Sequence, residues 1–570
     1  MTGAQDSFVG DSDDRFRCSS DVPLSTFGRE DSIVLNSQRR AALAEIDQAD
    51  FSWFHIKVCM VAGVGFFTDA YDIFAISIVA TMLGYCYGPG GVLTNAQDLG
   101  IKVATPVGTL VGQLLFGWLG DVFGRKRMYG LELMIIIVAT FGQALAGSGL
   151  RAVNIIGVLV VWRFVMGIGI GGDYPLSAVI SSEFSSTRIR GRMMTAVFAN
   201  QGWGQLTASI IALIVVTAYK KQILNSVAPG AATGPGIVTD IEWVDYMWRL
   251  LVGFGCVPGA VALYFRLTIP ETPRFTMDVE SNVHQAAQDV EDFLTMGTYY
   301  VDPDAVVQRV QAPRASRYDF AAYFARRENW LLLFGTAYSW FALDVAFYGL
   351  GLNTPIILEG INFGDVAKPG DPGFLAPQAV YGTLRNLAVG NIILSVAGYV
   401  PGYWATFLVV DKWGRKPIQL MGFIVLTILF IIMGSAFDKM RETPAGTKAF
   451  VFLYCLANFF QNFGPNTSTF IIPGEAFPTR YRSTAHGISA ASGKLGAIIA
   501  QVGFANLKDV GGAPQSNHFL GHLLQILAFF MLTGVGSTLL IKETNQKTLE
   551  DLSNERQDTF VGGVSGAIRR

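Results

Sequence analysis

Charge is what this chain has least of: 15% of its 570 residues are charged against 51% hydrophobic, and its mean hydropathy is +0.39. A soluble protein carries about a quarter of its residues charged. The deficit excludes an ordinary water-facing surface and leaves a lipid bilayer to cover the outside. The formal net charge of −2 offers no basic face for nucleic acid. Cysteine is sparse, and Cys18, Cys59, Cys86, Cys256 and Cys455 have neither a disulfide framework's regularity nor metal-ligand spacing. No nucleophile–base set, metal cluster or phosphate-cradling glycine loop is present, so neither an enzyme nor a resident cofactor is expected. The first fifty residues lack the apolar stretch and cleavage site of a secretory signal, which leaves the first apolar span to direct insertion. Lysine is missing before Lys57 and throughout 269–329, so any lysine-directed modification falls to Lys126, Lys412, Lys416, Lys542 or Lys547.

Long apolar runs are what the chain has in abundance. Stretches of about twenty apolar residues, the length that spans a bilayer as helix, lie near 58–84, 101–119, 128–147, 155–182, 195–219 and 248–268. Six more lie near 331–358, 384–409, 418–437, 449–472, 486–506 and 519–541. The fold class expected is an all-α membrane protein of twelve transmembrane helices in two six-helix halves. The division is a tail at 1–55, a first half at 56–268, a central loop at 269–329, a second half at 330–541 and a tail at 542–570. Basic residues follow the even-numbered spans: Arg125, Lys126 and Arg127, then Arg188, Arg190 and Arg192, then Lys412, Arg415 and Lys416. The positive-inside rule assigns those loops, both tails and the central loop to the cytoplasm, although Lys220, Lys221, Lys439 and Arg441 blur the contrast.

The halves repeat. Asp121-Val-Phe-Gly-Arg-Lys126 returns as Asp411-Lys-Trp-Gly-Arg-Lys416 at an offset of 411 − 121 = 290, and Glu183, Thr187, Arg188 and Arg190 return as Glu475, Thr479, Arg480 and Arg482 at 475 − 183 = 292. Two motifs at nearly one spacing indicate a parallel internal repeat. With Pro270-Glu-Thr-Pro-Arg274 after the sixth span, the pattern resembles the major facilitator superfamily. Asp121, Arg125, Asp411 and Arg415, at the membrane edge, read as gate and turn residues.

A charge at mid-bilayer costs at least ~2.5 to 3.5 kcal/mol, so each one there needs a reason. Asp69 and Asp72 fall in the first span, Glu132 in the third, Arg163 and Asp173 in the fourth, Asp344 in the seventh and Lys494 in the eleventh. Glu132 with Arg163 reads either as a structural ion pair or as part of a proton route, with Asp72 beside them. Trp340, Asp344 and Tyr348 recur every four residues, which gives one helix face three polar groups and marks it as cavity-lining. In the fourth span, Gly167-Ile-Gly-Ile-Gly-Gly-Asp173-Tyr174-Pro175 permits close helix contact and then breaks the backbone ladder. Asn462-Phe-Gly-Pro-Asn466 interrupts the tenth span, and Gln201 and Gln205 lie one turn apart in the fifth. Asn466-Thr-Ser matches a glycosylation sequon, but its depth makes that match false.

At these residues the likeness narrows. Gly171-Gly-Asp-Tyr-Pro-Leu-Ser-Ala178 followed by Ser182-Glu183, Phe460-Gln-Asn-Phe-Gly-Pro-Asn466, Pro473-Gly-Glu475, and Arg480-Tyr-Arg-Ser-Thr-Ala-His-Gly487 through Gly493-Lys494 resemble the phosphate:proton symporter family, especially its fungal high-affinity members. That resemblance implies import of inorganic phosphate with protons by alternating access. It implies Tyr174, Gln201, Trp340, Asp344, Tyr348 and Asn466 as phosphate contacts, and Asp69, Asp173 and Lys494 in proton coupling. The chemistry is compatible, since phenol, indole and amide groups donate to an oxyanion without fixing a charge, and a carboxylate accepts its O–H. Two alternatives remain: a sugar porter, whose seventh span would be expected to carry paired glutamines, and a nutrient receptor, for which the tails show no recognisable signalling domain.

Overall fold

The computed structural model describes residue 47 and residues 53–147, 153–225, 242–267, 272, 274–275, 316–364, 373–512 and 516–553. Most of the expected central loop, most of the N-terminal tail and the end of the C-terminal tail lie outside the described residues. The first half comprises α1 (Trp53–Tyr87), α2 (Asn95–Phe123), α3 (Arg125–Ala144), α4 (Ile155–Glu183), α5 (Arg190–Ala218) and the pair α6 (Glu242–Gly253) and α7 (Cys256–Arg266). The second comprises α8 (Arg327–Gly351), the pair α9 (Pro377–Leu394) and α10 (Val400–Trp413), α11 (Arg415–Ser435), the pair α12 (Pro444–Asn462) and α13 (Pro465–Ala476), α14 (Arg482–Leu507) and α15 (Leu520–Leu539), followed by a short α16 (Leu549–Leu552). Large apolar side chains such as Val138, Phe141, Ile214, Val396 and Phe529 face outward, as a lipid-facing surface requires.

Among the described residues, ten helical stretches are long and apolar enough to cross a membrane. Two of the twelve expected spans miss that standard for local reasons. The α3 helix carries Arg125, Lys126, Arg127 and Glu132 within its 20 residues. The α12–α13 pair is broken at Phe463-Gly464, where Pro465 has no N–H to continue the ladder and forces Gly464 into an extended conformation, φ −177°. The break places Asn462 and Asn466 one above the other. The freed carbonyl of Asn462 accepts from Thr406 Oγ1 at 2.9 Å and Thr467 Oγ1 at 2.7 Å. A second proline acts similarly in the eighth span: one π-helical turn, Ser395–Tyr399, precedes Pro401 and separates α9 from α10.

The sequence repeat is also a backbone repeat. Gly124 and Gly414, the glycines of the two Gly-Arg-Lys turns, have φ of 93° and 95°, a region that side-chain-bearing residues rarely adopt. Each begins a new helix directly after the preceding one ends.

Candidate functional site

Both gate motifs clasp the opposite half. Asp121, at the end of α2, accepts from the N–H groups of Ser483 (3.2 Å) and Thr484 (2.7 Å) and from the Thr484 hydroxyl (2.7 Å), capping α14. Asp411, at the end of α10, accepts from the N–H groups of Gly191 (3.1 Å) and Arg192 (3.0 Å), capping α5. A carboxylate at a helix N-terminus satisfies orphan donors and meets the positive end of the helix dipole. Arg125 reaches the Thr479 carbonyl at 2.7 Å and approaches Glu183 at 3.5 Å, while Arg415 pairs with Glu475 at 2.8 Å. Arg482 joins Glu183 at 2.7 Å. Outside the spans, Arg274 binds Glu550 at 3.0 Å and Asp47 at 3.1 Å. Burial pushes the Glu550 carboxyl up, but the Arg274 guanidinium outweighs it and holds the group at about 2. This end of the bundle is closed.

Midway along the bundle, the residues expected to contact phosphate converge from both halves. Gln201 Nε2 donates to Tyr174 Oη at 2.9 Å, and Tyr174 Oη lies 3.5 Å from Tyr348 Oη across the interface between halves. Lys494 Nζ donates to Asp344 Oδ2 at 2.7 Å and sits over the rings of Tyr348 (4.3 Å) and Tyr174 (4.9 Å). Trp340 lies 6.3 Å from Tyr174 and edge-on to His486 at 5.3 Å. Asn466 Nδ2 donates to Asn462 Oδ1 at 2.7 Å and to Tyr403 Oη at 2.8 Å, and Tyr403 donates to Gln201 Oε1 at 3.1 Å. All of these side chains are buried. Tyr403 stands at the junction and was missed in the sequence, where a tyrosine in an apolar span carries no signal. It lies one turn after the end of the π turn Ser395–Tyr399.

A second cluster lies within the first half. Arg266, on α7, pairs with Glu132 and with Asp173 (2.8 Å), and its guanidinium sits 4.0 Å over the Tyr129 ring. Ser177 donates to Asp173 at 2.5 Å. Gly65 on α1 makes room, since a Cβ there would stand 1.6 Å from Arg266 Nη2. Asp69 faces the charges of Asp173, Arg266 and Glu132. It is buried, and neither of its oxygens meets a hydrogen-bond donor among the described residues.

Of the two readings open for Glu132 and Arg163, a structural ion pair or part of a proton route, the direct ion pair is not formed in this arrangement. On antiparallel α3 and α4, Glu132 is level with Gly172, whose added Cβ would stand 2.8 Å from Glu132 Cβ. Arg163 is nine residues earlier on α4, about 13 Å further along the helix axis. There it donates to the Ile101 carbonyl at 2.9 Å and feels the charge of Asp72, which accepts from Thr140 at 2.9 Å. Arg266, the actual partner of Glu132, lies inside a span but near its end, where an arginine reads as an ordinary boundary residue.

Beyond the central cluster, Phe74, Phe347, Tyr348 and Tyr399 pack together, with Phe74 at 6.1 Å from Tyr348 and 5.7 Å from Phe347. They separate it from a vestibule of about 220 Å³ at the end opposite the clasps.

Helix order, the duplicated clasps and a site between halves define a polytopic transporter of the major facilitator fold. The fold is shared with the proton:xylose symporter XylE bound to 6-bromo-6-deoxy-D-glucose, at a TM-score of 0.62 and 19% identity over 88% of this chain and 98% of that one. It is shared too with a partially occluded inward-open conformation of the xylose transporter XylE from E. coli, at a TM-score of 0.58 and 18% identity over 85% and 98%. Residues 58–555 match the Sugar (and other) transporter family, and the chain belongs to it. It is 50% identical over 91% of its length to 90% of the repressible high-affinity phosphate permease of Neurospora crassa. To the inorganic phosphate transporter PHO84 of Saccharomyces cerevisiae it is 48% identical, over 91% of this chain and 88% of that one. A probable inorganic phosphate transporter 1-8 of Oryza sativa subsp. japonica is 38% identical over 91% and 95%.

Proposed function

We propose that this protein imports inorganic phosphate by proton symport through alternating access across the plasma membrane, with the clasped end and both termini in the cytoplasm. The expected domain limits go with that reading: tails at 1–55 and 542–570 and the central loop at 269–329 on the cytoplasmic side. The observation that carries it is the central cluster, in which neutral donors surround one Asp344–Lys494 ion pair. Tyr174, Gln201, Trp340, Tyr348 and Asn466 donate to phosphate oxygens. Lys494 balances the anion's charge, and Asp344, with Oδ2 on the lysine, accepts a phosphate O–H at Oδ1. The likeness to named phosphate permeases supports the same substrate.

Import of an anion into a cell held negative inside is opposed by ~2.3 kcal/mol per charge per 100 mV, so accumulation requires accompanying cations. Asp69 takes that role as a buried carboxyl without a hydrogen-bond partner, and Asp173, tied to Arg266, shapes the field around it. Lys494 links the proton to the substrate through Asp344. Alternation requires release of the Asp121 and Asp411 clasps together with closure of the vestibule, and the repeat provides one clasp from each half. Labelled phosphate uptake into vesicles, with and without an imposed pH gradient and against glucose and sulfate, tests the reading. Uptake driven by the gradient and insensitive to glucose is expected; glucose-sensitive uptake or none at all would sink it.

A further inference from the structure

Phosphate arriving from outside meets the vestibule before the aromatic plug, and the vestibule is itself equipped for an oxyanion. Tyr85 of α1, Asp98 and Lys102 of α2, Glu359, Thr383 of α9 and Lys508 at the end of α14 line it. Its volume admits several waters or one partly hydrated tetrahedral anion.

Lys102 is buried, yet among the described residues its ammonium donates to two groups, Asp98 Oδ2 at 2.7 Å and Asn353 Oδ1 at 3.1 Å. An ammonium has three N–H bonds, so one is left for an occupant. Tyr85 Oη and Thr383 Oγ1 face each other closely enough to interact, and among the described residues neither hydroxyl has any other hydrogen-bond partner. Tyr85 is only 7% exposed, and two hydroxyls that have only each other keep a spare donor and spare acceptor sites that a ligand or water can complete. The lining charges are two ammonium groups and two carboxylates. That mixture suits an anion carrying both bare oxygens and O–H groups. A fully deprotonated oxyanion would face Asp98 and Glu359 with nothing to donate, and a neutral sugar would leave the lysines without a charge to meet.

The vestibule is also wired to the central cluster. Asn353, which holds Lys102, donates to Gln501 Oε1 at 3.0 Å, and Gln501 donates to the backbone carbonyl of Tyr348 at 2.8 Å. Lys102 belongs to the first half and Asn353, Gln501 and Tyr348 to the second, so the Lys102–Asn353 bond latches the halves on the vestibule side.

We propose that the vestibule is an outer subsite for singly charged, protonated phosphate, held by Lys102 and Lys508, and that its occupant draws Lys102 away from Asn353 and so loosens the latch above the aromatic plug. The proposal rests on the phosphate-import reading, and the full-length protein in proteoliposomes separates the two. Initial rates of labelled phosphate entry from the vestibule side are measured against concentration for the wild type, Lys102→Gln, Lys508→Gln and Tyr85→Phe. Loss of one charge-assisted hydrogen bond is expected to raise KM about tenfold in each lysine variant, with kcat falling less than KM rises, and Tyr85→Phe is expected to raise KM severalfold. Wild-type KM in both lysine variants overturns the subsite, as does a fall in kcat at constant KM, which would make Lys102 a latch and nothing more. Should Lys102→Gln fail to reach the membrane, Lys508→Gln, at the end of its helix, carries the test alone. Absence of phosphate uptake by the wild type would instead overturn the import reading itself.

Discussion

Replacing Asp344 by Asn asks how the central cluster tells phosphate from sulfate, two tetrahedral anions of similar size that differ near neutral pH in whether they carry a proton. Asp344 and Lys494 are joined at 2.7 Å, with both side chains 2% exposed. Removing one partner of such a buried pair costs about 3–5 kcal/mol, of which the tyrosine faces under Lys494 offset about 0.5–2 kcal/mol. The empty site is therefore weakened by a few kcal/mol, and an incoming oxyanion of either kind recovers part of that by pairing with the lysine. The two anions differ in what else changes. Phosphate loses an O–H···carboxylate bond worth about 1.5–3 kcal/mol, whereas sulfate loses only a repulsion and gains an amide N–H. The preference for phosphate should narrow at least about tenfold, and discrimination of up to ~10⁴ is available to sites built on such a bond. The assay is competition by unlabelled sulfate against labelled phosphate uptake in Asp344→Asn vesicles. An unchanged phosphate-to-sulfate ratio, or equal loss of both anions, would show that Asp344 does not read the proton.

Asp69→Asn and Asp173→Asn, made separately, are expected to weaken proton-driven accumulation while phosphate binding survives; accumulation with unaltered pH dependence in either removes that aspartate from the proton route. Arg266→Gln leaves Glu132 and Asp173 buried without their cation and should cost about 3–5 kcal/mol, read as a lowered Tm in detergent, and Glu132→Gln added to it should recover part of the loss. The Arg274–Glu550 bond gives the C-terminal segment its own acid sensitivity. Because the folded Glu550 carboxyl lies below its ordinary value of 4.5, at about 2, its stabilisation, on the order of 3 kcal/mol, is full above about pH 4.5 and is lost as pH falls toward about 2. Protection of the α16 amides, measured as exchange relative to the unfolded chain at the same pH, should hold down to about pH 5 and fall below about pH 4, and Glu550→Gln should remove that step.

How much was legible in the chain can be judged residue by residue. The spans were readable because lipid demands a continuous apolar run of fixed length, a property contained in about twenty neighbouring residues. The tenth span's break was visible in Gly464-Pro465, since proline acts on its own helix. The convergence of Tyr174, Gln201, Asp344, Tyr348, Asn466 and Lys494 came from the resemblance; helical period alone grouped only Trp340, Asp344 and Tyr348 on one face. Tyr403, Arg266 and Lys102 went unnoticed. Each sits in an apolar span or near its end, where its residue type is common, and each matters only for what distant helices bring to it.

Hydropathy, helical period and proline breaks act within a few turns, so the order of residues alone makes the chain a duplicated bundle of membrane helices with costly charges inside it. Which charges meet depends on how the helices pack. Glu132 found Arg266 rather than Arg163 because a partner is chosen by depth along antiparallel helices and by their rotation. Those are set by packing between segments more than a hundred residues apart, and no local pattern records them.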